Sequence, residues 1–375
     1  DRLAGRLGLG RSEWLNQSET SALLPGIKSD LLAGGASYHD GQFEDAQLAM
    51  SLAKTAVHYG ATLLNYCKVT SFVHENNGLK GVEVQNSIES ETCRVRARFI
   101  INATGPFSDS VMSLDNPKHK PVIKPSQGAH LVVNSSFFPG DTAMLIPKTD
   151  DGRILFAVPW HGKIILGTTD TAVDSVLKEP VPLDAEVDFI LHHLQRYLKK
   201  APNRSDVLSA FAGIRPLVKL SNKKTAELAR DHVIRVSDSG LISILGGKWT
   251  TYRKMAADVM GKIKSMSNEK IVLSDTRMLR LVDYNTLVAS PSVEHLDDDA
   301  LRKRIQHEVD HTSCLTVEDF LARRTRQLLL DARHAIKRAP FIASCLAEML
   351  DRDPEWQNLQ IESFNAFAAL YLPAD

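Results

Sequence analysis

The sequence predicts an α/β protein in three parts: a nucleotide-binding type of α/β unit, an antiparallel sheet and a helical tail. Three observations carry this. Residues 43–105 read as helix, strand, hairpin and a returning strand that turns wholly apolar before "NATG". From about residue 120, short apolar runs alternate with Pro and Gly, the texture of antiparallel strands joined by turns. From about residue 297 only helical periodicity remains.

In chain order, "GRSEWLNQSETSALLPG" offers Ser18 and Thr20 as helix starters before Pro25 and Gly26 stop the run. No strand precedes it, so Gly5, Gly8 and Gly10 of "GRLGLG" read as a turn rather than a dinucleotide loop. "FEDAQLAMSLAKTAVHYG" puts Leu48, Leu52, Ala53 and Ala56 on one stripe with Gly60 as the stop, an amphipathic helix packed on a sheet. "ATLLNYCKVTSFVHE", "GLKGVEVQ" and "TCRVRARFIINATG" read as three strands. "GAHLVVN", "RILFAVPW", "IILGTTD", "DVLSAFAGIRPLV", "HVIRVS" and "LISILGG" follow, the last two joined by the turn "DSG". One helix, "LDAEVDFILHHLQRYLKK", interrupts them, with Val187, Ile190, Leu191, Leu194 and Leu198 on its apolar face and His192 and His193 left to solvent. "TTYRKMAADVMGKIKSM" reads as a helix, and Thr316 with Asp319 caps a single long one through "VEDFLARRTRQLLLDARHAIKR". The expected domains are 1–118, 119–240, a return to the first unit at 241–270, and 271–375.

The 375 residues balance 45 Lys plus Arg against 45 Asp plus Glu, so no basic field favours nucleic acid. Cys67, Cys93, Cys314 and Cys345 have no metal-binding spacing, and reduced thiols in a cytosolic compartment fit them. No apolar run approaches the roughly 20 residues a membrane span requires. The clearest chemical signal is "LISILGGKWTTYR": a strand ending in Gly246–Gly247 and feeding a helix presents backbone N–H groups to an electron-rich oxygen or an anion.

"GGKWTTYRKMA", "AGIRPLV", "LGTTDT", "QGAHLVV", "INATGPFSD" and "AELARDHVI" together resemble the FAD-dependent glycerol-3-phosphate dehydrogenases of the aerobic type, over essentially the whole chain. The resemblance implies an α/β flavoprotein: an incomplete FAD-binding Rossmann-like domain, an antiparallel-sheet substrate (cap) domain and an all-helical C-terminal domain. Those enzymes open with a βαβ unit bearing a Gly-rich pyrophosphate loop that this sequence does not show. It is therefore read as an N-terminally truncated copy, inactive as it stands.

By the same resemblance, Val69, Thr104, Gly105, Gly246, Gly247, Lys248, Trp249 and Thr250 contact FAD. Arg230 and Lys248 bind substrate, Lys248 at the phosphate or the C2 oxygen. Glycerol 3-phosphate is a dianion that requires fixed cations, and Arg suits phosphate through its forked donors. The implied reaction moves a hydride from C2 to flavin N5, giving dihydroxyacetone phosphate. His130 is the candidate base, an imidazole expected to titrate near neutrality, and Arg215 the donor to the developing alkoxide. Asp170 is expected to orient neighbours or close a turn. Quinone or another membrane acceptor takes the electrons, placing a cytoplasmic protein peripherally on the inner membrane's cytoplasmic face, with Arg326, Arg333 and Lys337 as a lipid-facing stripe. A homodimer is compatible with the sequence. The alternatives are an oxidase that hands electrons to oxygen, an amino-acid oxidase of related fold, and a non-catalytic binding or assembly fragment.

Overall fold

The computed structural model describes residues 8–373 except 31, 77, 148, 220–231 and 283–292. Its first element is a hairpin that the sequence pattern does not reveal: β1 (Glu13–Asn16) and β2 (Gly34–Ser37) pair antiparallel around α1 (Gln17–Leu23). That helix starts at Asn16 rather than Ser18 or Thr20. Asn16 Oδ1 accepts from the Glu19 N–H (2.9 Å) and Glu19 Oε2 accepts from the Asn16 N–H (2.8 Å), a reciprocal cap. Four residues in a polar stretch are too few for alternation to show in the sequence.

α2 (Asp45–His58) precedes an antiparallel meander of β3 (Cys67–Glu75), β4 (Gly78–Asn86) and β5 (Thr92–Arg96). "TCRVRARFIINATG" is not one strand: it breaks after Arg96, and β6 (Ile101–Asn102) enters a different sheet before α3 (Ser108–Asp115). The stripe expected on α2 is only half-buried, and the helix instead buries Ser51 and Thr55.

The antiparallel layer is a six-stranded sheet of β7 (Ile123–Asn134), β8 (Met144–Ile146), β9 (Leu155–Trp160), β10 (Lys163–Gly167), β11 (Thr171–Ala172) and β12 (Val207–Val218). β7 is its axis. β12 runs along one edge of β7 over nearly its full length, and β10 and β11 share the other. α4 (Asp184–Tyr197) crosses one face, burying Val187, Ile190, Leu191 and Leu194 against Ala129, Leu131 and Val133. Each of the larger aliphatic side chains contributes roughly 1.5–3 kcal/mol on burial. His193, expected in solvent, is buried at 1 % exposure. Its Nδ1 donates to Phe189 O (2.7 Å) and its Nε2 accepts from the Asp150 N–H (3.1 Å), so the ring ties a loop to the helix.

β13 (His232–Val236) and β14 (Ile242–Gly246) form the expected hairpin, and β14 pairs parallel with β6 before α5 (Tyr252–Met266). The tail contains α6 (Asp298–Thr312), a wide π-turn at Asp319–Arg324, α7 (Ala332–Met349) and α8 (Pro354–Ala369). Thr316 Oγ1 does accept from the Asp319 N–H (3.0 Å), but the helix beyond is not continuous. It breaks at Arg326, whose φ of 61° is left-handed. The Arg326 guanidinium turns inward to Glu44 (3.5 Å) and Asp45 (3.0 Å), and Arg333 donates to Val207 O (3.0 Å). Of the three cations expected to meet lipid, Arg326 is thus spent inside the protein, whereas Arg333 and Lys337 remain exposed. Among the described residues no helix is long and apolar enough to cross a membrane.

Glu44 is where the three parts meet. Its Oε1 accepts from Trp160 Nε1 (2.5 Å) and lies 3.1 Å from His161 Nε2, while Oε2 faces Arg326. Burial pushes this carboxyl up, but the His161 and Trp160 hydrogen bonds and the Arg326 charge outweigh that and hold it below the usual carboxylate range.

Candidate active site

Strand alternation decides which side chains share a face. On β7, Ala129, Leu131 and Val133 point into the α4 core, so Ser126, Gly128 and His130 point the other way. Across the ladder, Phe211 pairs with His130, Gly213 with Gly128, and Arg215 with Ser126. The Gly–Gly step leaves a bare trough: a Cβ at Gly213 would meet nothing within 4 Å. Arg215 folds across the other glycine, where a Cβ at Gly128 would stand 2.4 Å from its Nη2. Glycine at residue 128 permits that close approach, and a Cβ there would push the guanidinium aside.

The Arg215 guanidinium is held from one side. Nη2 donates to Thr168 Oγ1 (3.1 Å), Nη1 lies 3.3 Å from Asp170 Oδ1, and Ser126 Oγ donates to the same carboxylate oxygen. Arg215 therefore has the internal ion pair that a cation in a strand requires, and at 37 % side-chain exposure it still offers donors to the trough. His130 stacks on Phe211, ring centroids 5.5 Å apart, and Gly167 lets it lie over β10, since a Cβ there would meet its ring at 2.5 Å. Burial, then the nearby Arg215 charge, pushes the imidazole down to about 4. The expectation of titration near neutrality is corrected: this histidine is neutral throughout the physiological range.

A second group of residues lies at the carboxyl ends of the parallel pair. β6 and β14 align Ile101 with Ile242 and Asn102 with Ser243, so both strands finish on the same side. Buried Asn102 shapes the turn after β6: its Oδ1 accepts from the Thr104 hydroxyl (2.6 Å), and its Nδ2 donates to Ser108 O (3.1 Å) and Ser243 Oγ (3.2 Å). Gly105 follows at φ 57° with open space where a Cβ would be. Beside it Gly246 and Gly247 have φ values of 73° and 80°, a left-handed pair open to few other residues. Lys248, Trp249 and Thr250 are exposed. One amide expected to be free is engaged, since the Lys248 N–H donates to Thr251 Oγ1 (3.2 Å).

An apolar knot joins the two groups. Ile123 of β7, Val218 of β12 and Leu245 of β14 pack together with Met112 of α3. Arg215 stands three residues before Val218, about 10 Å of extended strand, and Gly246 directly follows Leu245. Val69 is set apart in the meander, beside a bulge of β3, which reaches α3 through His74 and Asp115 (3.0 Å). Arg230 lies outside the described residues. Sequence reasoning missed Thr168, Ser126 and Asn102. The available signal was a small polar residue at or beside the motifs "LGTTDT", "QGAHLVV" and "INATG".

Residues 1–253 match the family model described as FAD dependent oxidoreductase. Among curated relatives, rat mitochondrial glycerol-3-phosphate dehydrogenase is 33 % identical over 415 residues, covering 96 % of this chain and 56 % of the relative. The Schizosaccharomyces pombe mitochondrial glycerol-3-phosphate dehydrogenase is 31 % identical, covering 93 % of this chain and 67 % of the relative. Among solved structures, the glycerol-3-phosphate dehydrogenase of Bacillus halodurans complexed with FAD superposes with a TM-score of 0.81 at 27 % identity, covering 96 % of this chain and 80 % of that one. This chain thus spans about half the length of the mammalian relatives it matches, 56 % in the rat protein.

Proposed function

Because the chain belongs to the FAD-dependent oxidoreductase family, we propose that it oxidises glycerol 3-phosphate to dihydroxyacetone phosphate and passes the electrons to a quinone. The observation that carries this reading is the pairing of an open, clamped Arg215 with a neutral His130 on one face of β7 and β12. The comparisons support the substrate, since the relatives named above are glycerol-3-phosphate dehydrogenases.

The residues present fit part of a flavin site. Gly105, Gly246 and Gly247 are left-handed turns at the carboxyl ends of two parallel strands, where this class of fold binds its ligands, and the space in front of Gly105 is open. Thr104, Trp249, Thr250 and Val69 are proposed to complete the contacts this chain contributes. FAD, when bound, supplies the two-electron acceptor for the C2 hydride.

The remaining steps belong to side chains. As the hydride leaves C2, the C2 hydroxyl proton must leave too, and a neutral imidazole nitrogen of His130 can accept it. A pair of positive charges on His130 and Arg215 is unfavourable, so His130 passes the proton on rather than storing it. Arg215 donates to the C2 oxygen as negative charge develops there, and its partners already fix its direction. Lys248 and Arg230 bind the phosphate. The test is steady-state oxidation by the full-length protein loaded with FAD, with a quinone analogue or with oxygen as acceptor, of glycerol 3-phosphate, glycerol and amino acids. Preference for glycerol 3-phosphate with quinone supports the reading. Peroxide formation as fast as quinone reduction favours the oxidase, and equal turnover of unphosphorylated substrates defeats the assignment.

A further inference from the structure

We propose that Glu186, on the far side of the sheet from the trough, is a positioning residue that holds Arg215 in its working orientation through the Thr168–Asp170 loop. The inference rests on the role given to Arg215 above. Both partners of the guanidinium, Thr168 and Asp170, sit on this loop. Thr169 between them is fully buried, and its hydroxyl accepts from the Ala129 N–H (2.9 Å) and donates to Glu186 Oε1 (2.6 Å).

Glu186 is itself 3 % exposed, and its Oε2 accepts from Gln127 Nε2 (2.7 Å) and the Leu183 N–H (3.0 Å). Gln127 and Ala129 flank Gly128, the residue across which Arg215 lies. One carboxyl therefore fixes both the loop carrying the partners of Arg215 and the strand beneath it. Only a carboxyl has acceptor capacity for three converging donors without a donor of its own to place. Burying a carboxyl at 3 % exposure is costly, which a mere helix cap on Leu183 does not require.

In the full-length holoenzyme, Thr169→Val, nearly isosteric, cuts the link without emptying the site, and Glu186→Gln and Glu186→Ala weaken it from the other end. For Thr169→Val and Glu186→Ala we expect kcat on glycerol 3-phosphate to fall about ten- to hundredfold, since small misplacements of a reacting group cost that much, with KM little changed. Thr169→Ser, which restores the hydroxyl, should recover most of the activity. The double variant Glu186→Ala/Thr169→Val should be no worse than the poorer single one. A second readout is independent of turnover: NMR titration of His130, whose protonation the Arg215 charge opposes. Loosening Arg215 should move that titration upward, toward the value in Arg215→Ala. A lowered Tm with kcat and the His130 titration both unchanged in Thr169→Val and Glu186→Gln would overturn the proposal. Wild-type protein that ignores glycerol 3-phosphate would remove the functional reading, while the titration would still decide the positioning role.

Discussion

The antiparallel sheet and the parallel pair contribute to the proposed site by opposite means. Around β7 the core is extensive, from Ala129 to Ala210, and the chemistry lies in side chains locked by strand register and buried hydrogen bonds. Around β14 the buried residues fall, among the described residues, into two small clusters, one of Ile242, Ile244, Val259 and Ile263 and one around Leu245, and the contribution is backbone shape at Gly105, Gly246 and Gly247. Ile101, the β6 partner of Ile242, is 42 % exposed. A site that acts through side chains depends on register; one that acts through turns depends on glycine.

The sharpest way to break this contrast is Arg215→Ala. Losing a fixed donor to a developing oxyanion should lower kcat about a hundred- to a thousandfold with little change in thermal stability, and near-normal turnover would remove the side-chain half of the argument. Gly128→Ala attacks the same half without touching a charge: its Cβ would displace the guanidinium, and we expect at least about a tenfold loss in turnover. Gly213→Ala, its ladder partner, whose Cβ would meet no protein atom, should leave melting temperature unchanged and act on turnover only by narrowing the trough.

The turn half is tested by Gly247→Ala. A left-handed alanine costs about 1–2 kcal/mol, and its Cβ would stand 2.5 Å from the Met255 sulfur. The expected loss is in melting temperature and flavin retention, measured by absorbance, with turnover per bound flavin largely kept. In pH profiles, activity that requires neutral His130 should persist down to an acid limb near 4 and fall below it, and Arg215→Ala should move that limb upward. Stability has its own sign. The unfolded imidazole takes its proton near 6.5 and the folded one near 4, so this histidine costs stability as pH falls between those values. The smallest effect expected is a severalfold rise in KM for Lys248→Ala, the proposed phosphate contact on an exposed turn.

Much of this was legible in the sequence where local rules and tertiary structure agree. β7, β9, β10, β12, β13 and β14 announce themselves because Pro and Gly punctuate them, and α4 because its apolar stripe matches its buried face, whereas β8 and β11 are too short to show a pattern. What stayed hidden was decided by distant partners. His193 looks like a solvated flank residue until Asp150 is brought over it, and nothing in "ARRTRQ" announces a left-handed Arg326, a conformation held by Glu44 and Asp45 some 280 positions away. β5 and β6 read as one strand because alternation continues across the break, and strand periodicity does not say which sheet a residue joins. Within the proposed site, Arg215, His130 and the glycines are the candidates that the motifs offer. The clamp that Thr168, Asp170 and Ser126 form could not be read there, although Asp170 was expected to orient neighbours, because it requires the loop after β10 to meet β7 and β12.

The two-sidedness of β7 has a consequence for inheritance of damage. Between Ser126 and Val133, lesions at even-numbered positions up to His130 should yield protein that accumulates normally but works poorly. Lesions at odd-numbered ones should yield protein that the cell clears before it can work at all. Adjacent codons of one short strand would thus produce two distinct classes of defect, and only the first could be compensated by making more of the protein.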